Sequence, residues 1–198
     1  MNKIKSEQSG RSMVEMLGVL AIIGVLSVGG IAGYSKAMAK FKLSKAMDQV
    51  TTIVTNIRTL YASQPSYSDL TTEVAIRIGA IPTEMLNGVS PTSATAVYNA
   101  YSGKVGVFSS TTGSDFGVLF LGLGKEACVA LLTADWGRES GSGFVAVGAN
   151  SSASISSNLN SSSIGQILGN GKKDMTLSDA TTLCDGTGDT NNVAWQFH

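Results

Sequence analysis

The chain has 198 residues, no formal net charge and 14% charged side chains, so it lacks the basic surplus typical of nucleic-acid-binding proteins. Its two cysteines and one histidine form no Cys/His metal-ligand pattern, and no G-x-S-x-G or phosphate-loop motif is present. We therefore predict no enzymatic activity, no cofactor or metal, and no nucleic-acid partner. His198 is predicted to fray, and the scattered acids, Asp115 among them, to be solvated or to cap helices.

The N-terminal region combines a polar leader with a long apolar run. Residues 1–10 show no periodicity and end at Gly10. An uncharged run of about 20 residues follows from Met16 to Ser35, which is the length that an α-helix needs to cross a bilayer. Glu15 stands at the edge of this run. A carboxylate beside lipid is costly and by default indicates a functional site.

The charge distribution predicts the orientation of this helix. The segment before the predicted helix contains one acid, Glu7, and three basic residues, Lys3, Lys5 and Arg11. Such a bias places the N-terminus in the cytoplasm. The rest of the chain would then lie outside, where a disulfide can persist.

Two other interpretations of the N-terminal region remain. A secretory signal peptide would explain the lysines, the apolar run and the A-x-A sequence at residues 37–39, but its core is usually only about 7 to 15 residues long. An uncleaved membrane anchor would leave Glu15 simply at the membrane interface. Glu15 before the run and Lys36 after it disfavour the signal peptide.

From Lys36 the pattern changes to that of an amphipathic helix with one buried face. Its apolar stripe recurs at spacings of three and four residues: Leu43, Met47, Val50, Val54, Ile57 and Tyr61, widened by Ala46, Ile53 and Leu60. This half is predicted to pack against a sheet. Pro65 disfavours helical backbone in the residue before it and so predicts the helix end near Ala62.

The N-terminal order of a glycine (Gly10), a glutamate (Glu15) and an apolar helix resembles the prepilin signature of type IV pilins and type II secretion pseudopilins. The resemblance implies that a prepilin peptidase cuts between Gly10 and Arg11 and methylates the amino group of Arg11. It also implies that Glu15 neutralises the α-amino group of a neighbouring subunit during assembly. Arg11 stands where the family usually has Phe, Met or another apolar residue.

Within the apolar run, Gly29 and Gly33 form a G-x-x-x-G pair, a spacing that lets membrane helices approach closely. We predict a helix-packing role, with ordinary membrane-helix composition as the alternative.

Residues 63–104 are predicted to be a connecting region. Ser68 would cap a short helix that ends at Gly79, and Asn87-Gly88 and Ser102-Gly103 signal turns.

The last part of the chain, residues 105–198, is predicted to alternate short strands and helices. The predicted strands are 105–107, 115–121 (buried on both faces), 144–147 and 193–197, and the predicted helices are 124–132 and 177–184. Residues 151–163 form a Ser/Asn tract with little apolar content and are predicted to be an exposed loop.

This order, with a cysteine in each of the two late helices, resembles the larger type IVb pilins. The resemblance implies an α+β pilin fold, in which a long N-terminal helix packs on an antiparallel β-sheet. The domains would be the leader 1–10, a transmembrane and filament-core helix 11–35, and a globular domain 36–198 that begins with the amphipathic helix 36–62. A bridge between Cys128 and Cys184 would bound the surface region that varies between pili, with two unpaired buried thiols as the alternative.

The function implied by the resemblance is that of a pilus subunit. The chain would sit in the inner membrane, meet the prepilin peptidase and the pilus assembly machinery, and polymerise with copies of itself into an extracellular filament for adhesion or aggregation. Two alternatives remain: a minor pilin or secretion pseudopilin, and a membrane-anchored adhesin that never polymerises, for which Gly10 would be uncut and Glu15 dispensable.

Overall fold

The computed structural model describes residues 13–86, 96–137, 142–151 and 161–198, and the chain divides into two units, Met1–Phe41 and Lys42–His198. The helices are α1 (Met13–Tyr61), α2 (Thr72–Arg77), a 3₁₀ helix (Thr83–Leu86), α3 (Lys125–Thr133), α4 (Ser161–Leu168) and α5 (Leu177–Leu183). The strands are β1 (Val97–Tyr98), β2 (Lys104–Ser109), β3 (Phe116–Leu123), β4 (Phe144–Asn150) and β5 (Asn191–Phe197). The leader and the predicted turn at Asn87-Gly88 lie outside the described residues.

The predicted long N-terminal helix is confirmed, because α1 runs without interruption to Tyr61. The end of α1 is marked by a turn in which the Gln64 N–H donates to the Tyr61 carbonyl at 2.9 Å. Pro65 follows directly. The helix therefore stops where the proline disfavours helical backbone in its predecessor.

In the second unit, α1 contributes the predicted apolar stripe to the core. Its buried residues are Ala46, Gln49, Val50, Ile53, Val54, Ile57 and Tyr61. Two positions differ from the prediction. Leu60 lies at the margin of the stripe and is 45% exposed. Gln49 is buried because its Oε1 accepts a hydrogen bond from the Ala100 N–H at 3.0 Å, in the turn between β1 and β2.

The described residues form one sheet of five strands in the order β1-β2-β3-β5-β4, and every neighbouring pair is antiparallel, which confirms the predicted antiparallel sheet. The final strand, β5, lies between β3 and β4, and Trp195 pairs with Val118 on one side and Val147 on the other. Strand β3 is buried along nearly its whole length, which confirms the predicted central strand. The end of the chain is therefore part of the centre of the sheet.

Different helices pack against the two faces of the sheet. Val107, Phe116 and Trp195 belong to the large core that includes the buried stripe of α1. Leu119 and Ala194, on the other face, pack with Ile167 of α4 in a smaller cluster.

The prediction of a loop through residue 163 was wrong for residues 161–163, which begin α4. The serines gave a loop signal, whereas the fully buried Ile167 attaches this segment to the sheet.

Helix α2 begins later than predicted. Its N-cap is Thr71, whose hydroxyl accepts from the Val74 N–H at 3.2 Å, rather than Ser68. Ser68 lies in a turn in which the Leu70 N–H donates to the Tyr67 carbonyl. The turn buries Leu70 and shifts the buried face of α2 to Ala75 and Ile76. The predicted end was two residues too late, since α2 ends at Arg77 with Ile78 as its C-cap, and Gly79 follows with a positive φ of 74°.

Candidate functional site

The first unit presents an apolar helix whose side chains face outward on every side. Leu17, Ile22 and Val25 are 66%, 62% and 76% exposed. By length and composition, α1 contains a segment able to cross a membrane. Among the described residues, it is the one helix that meets these criteria. An apolar surface this long and continuous marks a site that another apolar environment covers.

Glu15 lies in the first turn of α1, where the helix dipole favours a carboxylate. Its side chain is exposed, and within the described part of the chain no basic group pairs with it. The structure therefore has, at the start of an apolar helix, an acid that no described basic residue pairs with. Gly10 and Arg11 lie outside the described residues, so the cleavage and methylation sites stay predictions.

The glycines of the apolar helix are not explained by packing inside the described chain. A methyl group placed on Gly29 or Gly33 would meet no described atom within 4 Å apart from its chain neighbours and the nearby backbone of its own helix. A glycine in a helix interior costs about 1 kcal/mol relative to alanine, so such residues need a reason. Close approach of a second helix is one such reason, and it remains a prediction for this pair.

The two cysteines form a disulfide that joins α3 to the end of α5. Cys128 lies within α3 and Cys184 is the C-cap of α5, with a Cα–Cα distance of 5.9 Å and a sequence separation of 56. Both residues are completely buried. The bridge closes the chain around β4, α4 and α5, so this whole region is covalently attached to the helix that follows β3.

The start of α5 is fixed by a capping box. The Thr176 hydroxyl accepts from the Asp179 N–H at 3.1 Å, and an Asp179 carboxylate oxygen accepts from the Thr176 N–H at 3.4 Å. Lys172 donates to the other carboxylate oxygen at 2.8 Å. The hydrogen bond from Lys172, followed by that from the Thr176 hydroxyl, lowers the pKa of Asp179.

Arg58 of α1 attaches the end of β5 to the helix, a role that the sequence analysis missed. Its Nε donates to the His198 carbonyl at 2.9 Å, and its Nη1 donates to the Ser142 carbonyl. The guanidinium carbon lies 5.6 Å from the centre of the Phe197 ring. Gly143 makes room for this group, because a Cβ there would overlap the guanidinium. We call Arg58, Ser142, Phe197 and His198 the Arg58 clamp.

The predictions for His198 and Asp115 were wrong. The His198 N–H donates to the Gly143 carbonyl at 2.8 Å, and its imidazole Nδ1 contacts the Asp115 carboxylate, so the residue is held rather than frayed. Asp115 is 14% exposed and also accepts from the Gln196 side chain at 3.1 Å. It joins strand ends instead of facing solvent. Pairing between β3 and β5, which brings these residues together, is not visible in the sequence.

Comparison with known proteins places this chain in a family. The model of the PilS family, described as PilS N terminal, matches residues 41–197. The major structural subunits of the bundle-forming pilus from Escherichia coli O111:H- and from Escherichia coli O127:H6 are each 29% identical to the chain over 195 residues. In both cases the match covers 96% of this chain and 95% of the relative.

Two solved structures are also similar. The type IVb pilin from Salmonella typhi aligns with a TM-score of 0.49 and 19% identity, over 79% of this chain and 97% of that one. TcpA, a type IV pilin from Vibrio cholerae El Tor, aligns with a TM-score of 0.45 and 15% identity, over 79% of this chain and 99% of that one. The family match extends from α1 to the last strand, whereas the leader and the apolar half of α1 lie outside it.

Proposed function

The chain belongs to the PilS family of type IV pilins, and we propose on that premise that it is a major structural subunit that polymerises with copies of itself into an extracellular pilus. Two relatives that match nearly the whole chain are named major structural subunits of such a filament, which supports this proposal. The observation that carries it is Glu15, an acid without a partner in the described chain, at the start of an exposed apolar helix.

Before assembly, we infer that the subunit is held in the inner membrane by α1 with its N-terminus in the cytoplasm. A prepilin peptidase would cut between Gly10 and Arg11 and methylate the new amino group of Arg11. The spacing of Gly10, Glu15 and the apolar run supports this step. The assembly machinery of the inner membrane would then transfer the helix from lipid into the core of the filament.

The driving force that we propose is a difference in the environment of Glu15. Beside lipid, an unpaired carboxylate is expensive, by roughly 2.5 to 3.5 kcal/mol at the bilayer centre and less toward the interface. In a filament the α-amino group of a neighbour's Arg11 would pair with it and remove that cost. Pairing also favours one register between adjacent helices, because it forms only where the two charges meet, whereas apolar burial is non-directional. Gly29 and Gly33 would let these helices pack closely.

The test is substitution of Glu15 followed by a count of surface filaments in electron micrographs. Glu15→Gln and Glu15→Leu should leave normal amounts of subunit in the inner membrane and reduce filaments at least tenfold. Glu126→Gln, which removes one exposed acid from α3, is the matched control and should assemble normally. Normal filaments from Glu15→Leu would contradict the proposal.

The same preparations separate the alternatives. A minor pilin or secretion pseudopilin would be present in few copies in sheared filaments, whereas a major subunit would make up nearly all of their protein. A membrane-anchored adhesin that never polymerises would retain Gly10 and would tolerate Glu15→Leu in every assay. Adhesion or aggregation as the role of the filament would then be tested by cell-binding assays with the filament-negative variant.

A further inference from the structure

Lys36 and Lys40 are two exposed cations placed directly after the apolar run. In an α-helix, residues four positions apart lie on the same face about 6 Å apart along the axis. Among the described residues neither contacts an acid, whereas Lys45 lies 3.6 Å from Glu84. The positive charges of this pair are therefore not neutralised by any described acid, and they lie where the apolar segment of the helix ends.

The surrounding sequence gives this pair no neutralising neighbour. From Met16 to Met47 the chain contains no aspartate or glutamate. Tyr34, which precedes the pair, is 68% exposed. An exposed tyrosine followed by lysines is the composition typical of the boundary between hydrocarbon and headgroups, where aromatic rings lie at headgroup level and lysines reach the phosphates.

The distance to Glu15 fits the same boundary. An α-helix rises about 1.5 Å per residue, so Glu15 and Lys36 are about 31 Å apart along the axis of α1. The hydrocarbon core of a bilayer is about 30 Å thick. When Lys36 lies at the headgroups of one surface, Glu15 lies at the edge of the hydrocarbon on the other. The two charges therefore mark both limits of the membrane segment.

We propose that Lys36 and Lys40 bind the phosphate groups of anionic phospholipids at the outer surface of the inner membrane, and thereby hold Glu15 at the opposite edge of the hydrocarbon. The inference rests on the membrane-bound stage of the proposed function. Anionic headgroups attract each nearby lysine, whereas zwitterionic headgroups carry no net charge to do so. In this arrangement the lysines are positioning residues that keep the acid at a fixed depth before assembly.

The first experiment measures lipid preference. The full-length protein is reconstituted in phosphatidylcholine vesicles containing 30% phosphatidylglycerol, and electron paramagnetic resonance compares the immobilised fractions of spin-labelled phosphatidylglycerol and phosphatidylcholine. We expect a preference of about two- to fivefold for phosphatidylglycerol. Lys36→Gln/Lys40→Gln should reduce the preference by about half or more, because Lys3, Lys5 and Arg11 remain at the other surface, and Lys36→Arg/Lys40→Arg should restore it. Lys125→Gln/Lys173→Gln removes the same charge from exposed positions elsewhere and should leave it unchanged.

The second experiment measures depth. A spin label on Leu17→Cys, with the native disulfide intact, reports the position of the first turns of α1 through its accessibility to oxygen and to a water-soluble nickel complex. In the glutamine double variant the label should move toward the cytoplasmic headgroups by up to about one helical turn, about 5 Å. An unchanged depth would contradict the positioning role.

The outcomes distinguish this inference from the proposed function. Protein that inserts normally but shows no preference for phosphatidylglycerol would overturn the inference alone. Protein that fails to enter vesicles would contradict the membrane-bound stage itself. Loss of filaments in the glutamine double variant with an unchanged lipid preference would identify an acidic surface of another subunit as the partner, and would also overturn the inference.

Discussion

The two halves of α1 are equally helical and both rich in aliphatic residues, yet they differ in how those residues are distributed. In residues 42–61 the apolar side chains form one stripe, and Ile53 and Ile57 on that stripe are completely buried. In residues 13–41 they occupy every side of the helix, and Leu17 and Ile23 remain more than half exposed. A single sheet of the same chain is enough to bury an apolar stripe on one side of a helix. An apolar surface on every side of a helix has to be covered all round, and in the proposed function lipid or a bundle of other subunits would do so.

The largest expected effect comes from placing a charge in each half. Ile53→Asp should destabilise the second unit by about 4 kcal/mol or more, because the carboxylate would be buried without a partner. Ile22→Asp should leave the free energy of unfolding of that unit unchanged and should instead reduce membrane insertion. Urea unfolding in detergent, followed by tryptophan fluorescence, measures the first effect, since Trp195 is completely buried in the core. Equal destabilisation by both variants would remove the distinction between the halves.

Removing the disulfide should lower the stability of the second unit and leave the apolar half of α1 unaffected. Cys128→Ala/Cys184→Ala opens a loop with a sequence separation of 56, which the chain-entropy model values at about 4 kcal/mol. Urea unfolding should show this loss, and reduction of the wild-type disulfide should reproduce it. Insertion of α1 into vesicles should be unchanged. A double variant as stable as wild type would mean that α3 and α5 are held by packing alone.

A smaller loss is expected at the Arg58 clamp. Lys in place of Arg58 keeps the charge but offers a single nitrogen where the guanidinium reaches the His198 and Ser142 carbonyls with two, Nε and Nη1, so Arg58→Lys should cost about 1 to 3 kcal/mol. Arg77→Lys is the matched control, because Arg77 makes an exposed pair with Glu73 and should change stability by less than about 1 kcal/mol. Similar values for the two variants would show that the clamp adds nothing to the stability of the sheet.

The smallest effect is a pH dependence at α5. The pKa of Asp179 is lowered in the folded chain by Lys172 and Thr176. Its stabilising contribution is therefore complete above the unfolded value of about 3.9 and is lost as pH falls through the lower folded value. The urea midpoint of wild type should fall in this acid range more steeply than that of Asp179→Asn. Parallel curves would mean that the capping box does not respond to protonation.

Most of the fold was predictable from local patterns. The spacing of Val50, Val54 and Ile57 identified the buried face of α1, and the apolar run at 116–121 identified the central strand, because periodicity reports burial directly. Helix α4 was missed because its serines resemble a loop, and its burial depends on a sheet face that the rest of the chain builds. The N-cap of α2 was misplaced for a similar reason, since the turn that buries Leu70 competes with a helix start at Ser68.

The candidate site was predictable to different degrees. Glu15 was identified because a charge beside an apolar run is conspicuous in any sequence. Arg58 and Asp115 were missed, because their partners, Ser142, Gln196 and His198, are more than 80 positions away along the chain and are brought near by strand pairing. A single sequence contains no signal for such contacts. Gln49 is a similar case, since its acceptor role exists only once the β1–β2 turn covers the helix.

The most direct test of the account is the intact mass of the chain recovered from sheared surface filaments. We expect the mass of residues 11–198, less two hydrogens for the Cys128–Cys184 disulfide and plus one methyl group on Arg11. This result would join processing, export and polymerisation in one observation. A filament protein that retains Met1, or a secreted chain that begins at Lys40, would contradict it, because in neither case would Glu15 lie beside a newly freed amino group.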